Sequence, residues 1–231
     1  MRSNFSTVEN YFKPKLEAQL PSGFESFRQA SDDFKKTGIS LAPLEATILQ
    51  TLVRAHQGSK WIEIGTLTGF SGFCISRTLM EKSSHSARLW TFEKDPSHAA
   101  RARDLFEQKG LAQNVTVIEG DAAIKLATIA GEAPFDGLFI DGNKGAYLTY
   151  LEWSIRHLKP GAMVVADNVF LGGAIWENSV DNVNNSIWSA SVVERMRKFL
   201  DLLFDTDRFQ SCLIPTAEGM AVGVFKGSKI Y

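Results

Sequence analysis

From Trp61 onward, short apolar runs alternate with amphipathic segments. The runs are "KWIEIG", "RLWTFEKD", "NVTVIEGD", "FDGLFIDG" and "GAMVVADN". Between them lie "SGFCISRTLMEK", "SHAARARDLFEQKG", "AAIKLATIAG" and "AYLTYLEWSIRHLKPG", which have helical character. Strand, helix, strand in this rhythm predicts a parallel sheet with right-handed crossovers. Gly110 and the pair Pro160-Gly161 read as helix ends.

The C-terminal part breaks the rhythm. Ser191 with Glu194 reads as a capping box, opening a helix whose apolar face is Val192, Met196, Phe199, Leu200 and Leu203. The runs "RFQSCLI" and "GMAVGVFK" follow, separated only by "PTAE". That gap is too short for a crossover helix, so these strands pair antiparallel. The expected fold is α/β: a Rossmann-like, seven-stranded, mostly parallel sheet with one reversed strand in a C-terminal hairpin and helices on both faces. Residues 1–60 read as a helical extension. In it "PSGFESFRQASDDFKKTG" ends at a capping Gly38, and "APLEATILQTLVRAHQG" begins with a first-turn Pro and ends near Gly58. No internal repeat interrupts the chain.

Composition narrows the class. With 231 residues and 44% hydrophobic content, the chain suits one sizeable core, and a single domain over 1–231 is expected. Lys and Arg number 25 against 26 Asp and Glu, a net charge of -1, which does not advertise a nucleic-acid partner. Cys74 and Cys212, in a helix and a strand, read as buried thiols. The first residues, "MRSNFSTVENYFKPKLEAQL", have no uninterrupted apolar stretch of the secretory kind, and no window approaches the roughly 18 apolar residues of a membrane span. A cytoplasmic protein with no membrane partner is the default.

Ligands of open α/β sheets bind at the carboxyl ends of the strands. Here five successive strands end in or near an acid: Glu63, Glu93, Asp121, Asp141 and the pair Asp167-Asn168. One such acid is usually a solvated cap; a run of five is a binding edge. The loop "GTLTG", Gly65 to Gly69, has Leu67 where a dinucleotide fingerprint needs glycine, and no Gly-Lys-Ser/Thr follows as in a P-loop. It still permits close backbone approach, with Ser71 and a helix N-terminus offering donors to a carboxylate. Glu93 sits where an acid accepts hydrogen bonds from a ribose diol. An adenosine-type ligand without a pyrophosphate fits, and S-adenosylmethionine is one. An NAD-dependent oxidoreductase is disfavoured by the same loop.

The motifs "WIEIGTLTGFSG", "FEKD", "EGDA", "FIDGNKGAY" and "ADNVF" resemble, in order, those of class I S-adenosylmethionine-dependent O-methyltransferases. More narrowly they are similar to the cation-dependent branch that includes the caffeoyl-CoA and catechol O-methyltransferases and bacterial relatives. The likeness runs from about Gly38 to "LIPTAEGMAVGVFK". It implies that Glu63, Gly65, Thr66 and Ser71 hold the methionine end of S-adenosylmethionine and that Glu93 takes the ribose hydroxyls. It also implies that Asp121 and Ala122 border the adenine, that the backbone of Leu41 touches the cofactor, and that Asn143 lies near it. Asp141, Asp167 and Asn168 match the family's metal ligands, and Lys144 its general base. A homodimer is a family expectation.

The residue types agree. Two carboxylates and an amide oxygen form a hard oxygen set suited to Mg²⁺, Mn²⁺ or Ca²⁺. A cation there favours loss of a catechol proton, and a lysine kept neutral by that cation and by partial burial can take it. The implied acceptor is a catechol-like or other vicinal dihydroxy small molecule. The alternatives are a hydroxyl of a modified tRNA nucleoside and a non-catalytic cofactor-binding protein. Three departures bear on the acceptor: "DGNK" stands for the usual "DADK", Ile39 for a methionine, and "NVFLGG" places Leu171 and Gly172 where a tryptophan often follows. Phe170, Trp176 and Trp188 are candidates for lining an aromatic pocket, core packing being at least as good a reading. The segment "GGAIWENSVDNVNNSIWSAS" is a candidate for shaping it. His56, His85, His98 and His157 match no motif and read as surface or helix residues.

Overall fold

The computed structural model describes residues 5–36, 38–83, 86–176 and 187–227. His85 and residues 177–186 of the candidate pocket segment lie outside them. The chain divides into two compact units, Met1–Lys125 and Leu126–Tyr231.

The first unit opens with α1 (Phe5–Glu17), α2 (Glu25–Asp33) and α3 (Pro43–Ala55), so the N-terminal extension is helical as expected. Pro43 sits in the first turn of α3, and the Glu45 carboxylate accepts from the Ala42 N–H at 3.0 Å. α2, however, stops at Asp33 rather than at Gly38. The N–H groups of Lys35 and Lys36 turn back to Asp32 O and Ser31 O, and Lys35 takes the left-handed position at φ 57°. This is a glycine-type helix stop with a lysine in it, and the residue pattern does not announce it. Three parallel strands follow, β1 (Lys60–Ile64), β2 (Arg88–Glu93) and β3 (Val115–Glu119), in the order β3-β2-β1. They are joined by α4 (Phe70–Ser83) and α5 (Pro96–Gln108), and α6 (Ala122–Lys125) follows β3. α3 packs on α4, and α2 on α5. Trp61, Phe27, Phe73, Phe92 and Phe106 are fully buried, with Phe27 stacked on Phe73 at 4.6 Å.

The second unit carries β4 (Phe135–Ile140), β5 (Leu158–Ala166), β6 (Phe209–Ile214) and β7 (Met220–Phe225), in the order β4-β5-β7-β6. β4 and β5 are parallel, and β7 runs antiparallel to both β5 and β6. These complete the seven strands, with one reversed in the C-terminal hairpin, and the α/β class is as expected. α7 (Tyr147–Ile155) packs on α8 (Ala190–Leu203). Among the described residues no helix is long and apolar enough to cross a membrane.

Further local expectations are corrected. Pro160 and Gly161 do not end a helix: α7 stops at Ile155, and both residues lie inside β5, where pairing to β4 jumps from Phe135–Leu158 to Gly137–Met163 across a bulge. α8 is capped by Ser189, whose Oγ accepts from the Val192 N–H, not by Ser191. Starting two residues early, α8 buries Val193, Met196, Phe199 and Leu203, with Val193 rather than Val192 inside. "AAIKLATIAG" makes only the single turn of α6 before tightening into a 3-10 helix over Leu126–Glu132. Cys74 is buried but Cys212 is exposed, because β6 is the edge strand of its unit.

Candidate active site

The parallel strands of the first unit bring Glu63, Glu93 and Asp121 to one end of their sheet. Glu63 is fully buried, and its Oε2 accepts from the Thr91 hydroxyl at 2.5 Å. Thr91 is in turn hydrogen-bonded to the Thr66 hydroxyl, so the Thr66 side chain faces inward and leaves its backbone at the loop. The loop from Gly65 to Gly69 needs its glycines: both have φ 99°, and a Cβ on Gly69 would meet Phe106 at 2.9 Å and Phe27 at 3.1 Å. Beyond it, a Cβ on Gly72 would lie 2.6 Å from Glu63 Oε2, so the first turn of α4 is pressed against that carboxylate. Ser71 is buried in the same turn.

Glu93 holds the loop from the other side. Its Oε2 accepts the Leu67 N–H at 2.7 Å, with Leu67 at φ 48°, and its Oε1 accepts the Asp95 N–H at 2.8 Å. His98 Nδ1 stands 3.9 Å from Oε1. Asp121 Oδ1 accepts from the Ala123 N–H at 2.9 Å, and Ala122 and Leu41 are buried. Cys74 lies behind this wall as a protonated thiol, pushed up first by burial and then by the charge of Glu63.

In the second unit, β4 ends at Ile140 and β5 at Ala166, one residue before Asp141 and Asp167. The Asp167 N–H donates to Ile140 O at 2.9 Å, which holds the two strand ends side by side. Asn143 is exposed and caps a 3-10 turn over Lys144–Ala146, its Oδ1 accepting from the Gly145 N–H at 3.1 Å. Three-residue spacing in such a turn stacks Lys144 and Tyr147 on one side. Lys144 Nζ then donates to Asp141 Oδ1 at 2.9 Å, Asn168 Oδ1 at 2.7 Å and Tyr147 Oη at 2.7 Å, which uses all three of its protons. Asn168 reaches this point from a left-handed backbone, φ 55°, that asparagine tolerates better than most residues. Asp167 is buried, and its Oδ1 accepts from the Asn168 N–H at 2.8 Å.

Tyr147 is fully buried; burial pushes its phenol well above the usual range, and the charges of Asp141 and Asp167 push it further. One carboxylate, that of Asp141, and the Asn168 amide oxygen therefore hold one cation, the Lys144 ammonium, and with the neighbouring Asp167 these residue types fit a hard divalent ion as well. Among the described residues no group of three or more His, Cys, Asp or Glu comes together, which leaves the two-acid, one-amide set as the candidate.

A family model described as O-methyltransferase matches residues 17–225. The chain belongs to the O-methyltransferase family. That family is the one its strand-end motifs resemble, and this O-methyltransferase is 31% identical to a catechol O-methyltransferase of Niastella koreensis, across 96% of this chain and 98% of the relative. A catechol O-methyltransferase of Mycobacterium tuberculosis is 38% identical over 152 residues, 66% of this chain and 67% of its own. Among solved structures, the O-methyltransferase from Bacillus cereus in complex with SAH superposes with a TM-score of 0.80 at 27% identity, covering 96% of this chain and 98% of that one.

Three contributors were not singled out from the sequence. Tyr147 reads there as one more aromatic at the start of an apolar helix, Thr91 as a polar residue in a strand, and His98 as a surface or helix residue, the last of which its place in α5 bears out. Only the spacing Asp141, Lys144, Tyr147, each three positions after the last, carried a usable signal. Phe170 and Trp176 do come together, ring edge to ring face at 5.1 Å, with Trp176 exposed.

Proposed function

We propose that this O-methyltransferase takes its methyl group from S-adenosylmethionine and delivers it to one hydroxyl of a catechol-like, vicinal dihydroxy small molecule, with a divalent cation, Mg²⁺ foremost, held by Asp141, Asp167 and Asn168. The donor supplies an electrophilic methyl on a sulfonium, and the cation supplies Lewis-acid charge that favours loss of a phenol proton. In the first unit, Gly65, Thr66 and Ser71 present backbone and hydroxyl groups to the methionine end. Glu63 backs that wall, Glu93 accepts from the ribose hydroxyls, and Leu41, Asp121 and Ala122 enclose the base. Asn143 fixes the turn that aims Lys144.

In the second unit Lys144 Nζ, in its neutral amine form when the cation is bound, would take the acceptor's proton, while Tyr147 Oη keeps the amine in place. One observation carries the reading: Lys144 Nζ lies within hydrogen-bonding distance of both Asp141 Oδ1 and Asn168 Oδ1, at 2.9 and 2.7 Å. A carboxylate and a base from the loop after β4 and an amide oxygen from the loop after β5 share that point. Proton removal and charge stabilisation are then available at the same place.

The test is methyl transfer from labelled donor to a panel of catechols and monophenols, with and without EDTA. Expected is transfer to catechols that chelation abolishes and Mg²⁺ or Mn²⁺ restores. Transfer untouched by chelation rejects the cation, and equal use of monophenols rejects the vicinal diol. The homodimer expected from the family is checked by sedimentation equilibrium of the same preparation.

A further inference from the structure

The glycine loop of the first unit is tied to the N-terminal extension by three hydroxyls that none of the strand-end motifs explains. Thr68 Oγ1 donates to Phe27 O of α2 at 2.9 Å. It also lies 2.6 Å from Ser31 Oγ, which lies 3.1 Å from Ser40 Oγ. Each hydroxyl has one proton to give. Ser31 Oγ also lies 3.3 Å from Phe27 O and can donate to it, so Ser31 and Thr68 share that carbonyl and either can be the donor between them. The three hydroxyls form one connected chain, Ser40–Ser31–Thr68, anchored on the α2 backbone at Phe27 O.

Thr68 and Ser31 are 0% and 2% exposed, so water does not compete for these bonds. The chain joins α2, the turn that carries Leu41, and the loop between Gly65 and Gly69. A second contact from the same helix end reaches the other wall: Phe34 packs edge-on against His98 at 4.8 Å, and His98 stands beside Glu93.

We infer that Ser40, Ser31 and Thr68 are positioning residues for the methyl donor: they set the spacing between the Leu41 turn and the glycine loop, and so make the N-terminal extension part of the donor site. This inference rests on the donor reading above. A hydrogen bond lost from a buried chain weakens whatever geometry it fixes by about a factor of ten. Thr68→Val, nearly the same shape without the hydroxyl, should therefore raise the dissociation constant for S-adenosylhomocysteine about tenfold, and Ser31→Ala should do the same. The double variant should bind no more weakly than Thr68→Val alone, because the two act through one chain. Thr68→Ser should restore affinity. In turnover, KM for the donor should rise while KM for the acceptor stays unchanged.

Binding is measured by calorimetry at a temperature where each variant's circular dichroism matches the wild type. A purely packing role would lower the melting temperature and leave the dissociation constant within about twofold, and that result overturns the inference. Should Thr68→Val fail to fold, Ser31→Ala and the half-exposed Ser40→Ala decide by the same criterion. Wild-type protein that binds no S-adenosylhomocysteine overturns the donor reading and this inference with it. Wild-type binding with unaltered variants overturns this inference alone.

Discussion

Tyr147 carries more of the proposed chemistry than a buried aromatic usually does. Its hydroxyl accepts from Lys144 Nζ at 2.7 Å and gives its own proton to Asp167 O at 3.0 Å, so it links the amine to the backbone between the two acids. Tyr147→Phe keeps the packing and removes the link. It should lower turnover about tenfold with KM for the donor unchanged, and cost about 1–2 kcal/mol of stability as Asp167 O loses a donor; steady-state kinetics and denaturant unfolding measure the two. Gly72 makes a different kind of point. An added methyl would meet Glu63 Oε2 at 2.6 Å, Phe106 at 3.1 Å and Leu89 at 3.4 Å, all of them packed. Gly72→Ala should destabilise by about 1–3 kcal/mol in the same unfolding assay. At this scale the charged residues were legible and their supports were not. Asp141, Asp167 and Lys144 stand out because charge at the end of an apolar run needs a reason. Tyr147, Thr91 and Gly72 have residue types that suit a core or a helix equally well, and only their contacts give them a role.

The elements that bear these residues depend on their ends. α5 begins at Asp95, whose carboxylate accepts from the Ser97 hydroxyl, the Ser97 N–H and the His98 N–H. The Ser97 hydroxyl first, then the His98 and Ser97 amides, hold Asp95 below the usual carboxylate range. A carboxylate lowered in the folded state adds stability that is complete above its unfolded value and lost as pH falls through its folded value. Asp95→Ala should therefore be less stable than wild type at about pH 5 and converge with it toward about pH 2, followed by urea unfolding across that range. A gap that stays constant with pH would mean the cap does not work through its charge. Strand and helix order was legible at this scale because hydrophobic periodicity survives in a single sequence. Ends were less so. The α2 stop uses Lys35 where glycine is expected, the β5 bulge swallows a Pro-Gly pair that looks like a helix end, and Ser189 rather than Ser191 caps α8. In each case the backbone hydrogen bonds chose among residues of nearly equal local preference.

Across the whole molecule, the sequence order of the acids sorts them by unit. Glu63, Glu93 and Asp121 belong to Met1–Lys125, and Asp141, Lys144, Asp167 and Asn168 to Leu126–Tyr231. The division was not legible in the motifs, which run through the chain without a break; it follows from which contacts form in three dimensions. If each unit carries its own share of the reaction, the two binding events are separable by mutation. Glu93→Ala removes the proposed acceptor for the ribose hydroxyls and a brace on the Leu67 N–H, so S-adenosylhomocysteine should bind about 10–100-fold more weakly, a hydrogen bond to a charged group contributing about 1.5–3 kcal/mol. Mn²⁺ binding, followed by electron paramagnetic resonance, should be unchanged in that variant. Asp141→Ala should do the reverse, losing Mn²⁺ while the calorimetric affinity for S-adenosylhomocysteine stays within about twofold of wild type. Both variants lose methyl transfer, so activity alone cannot tell them apart, whereas the pair of binding measurements can. An Asp141→Ala variant that lost both ligands would mean that the acid at the end of β4 supports the donor as well as the cation, and the assignment of separate roles to the two units would have to be given up.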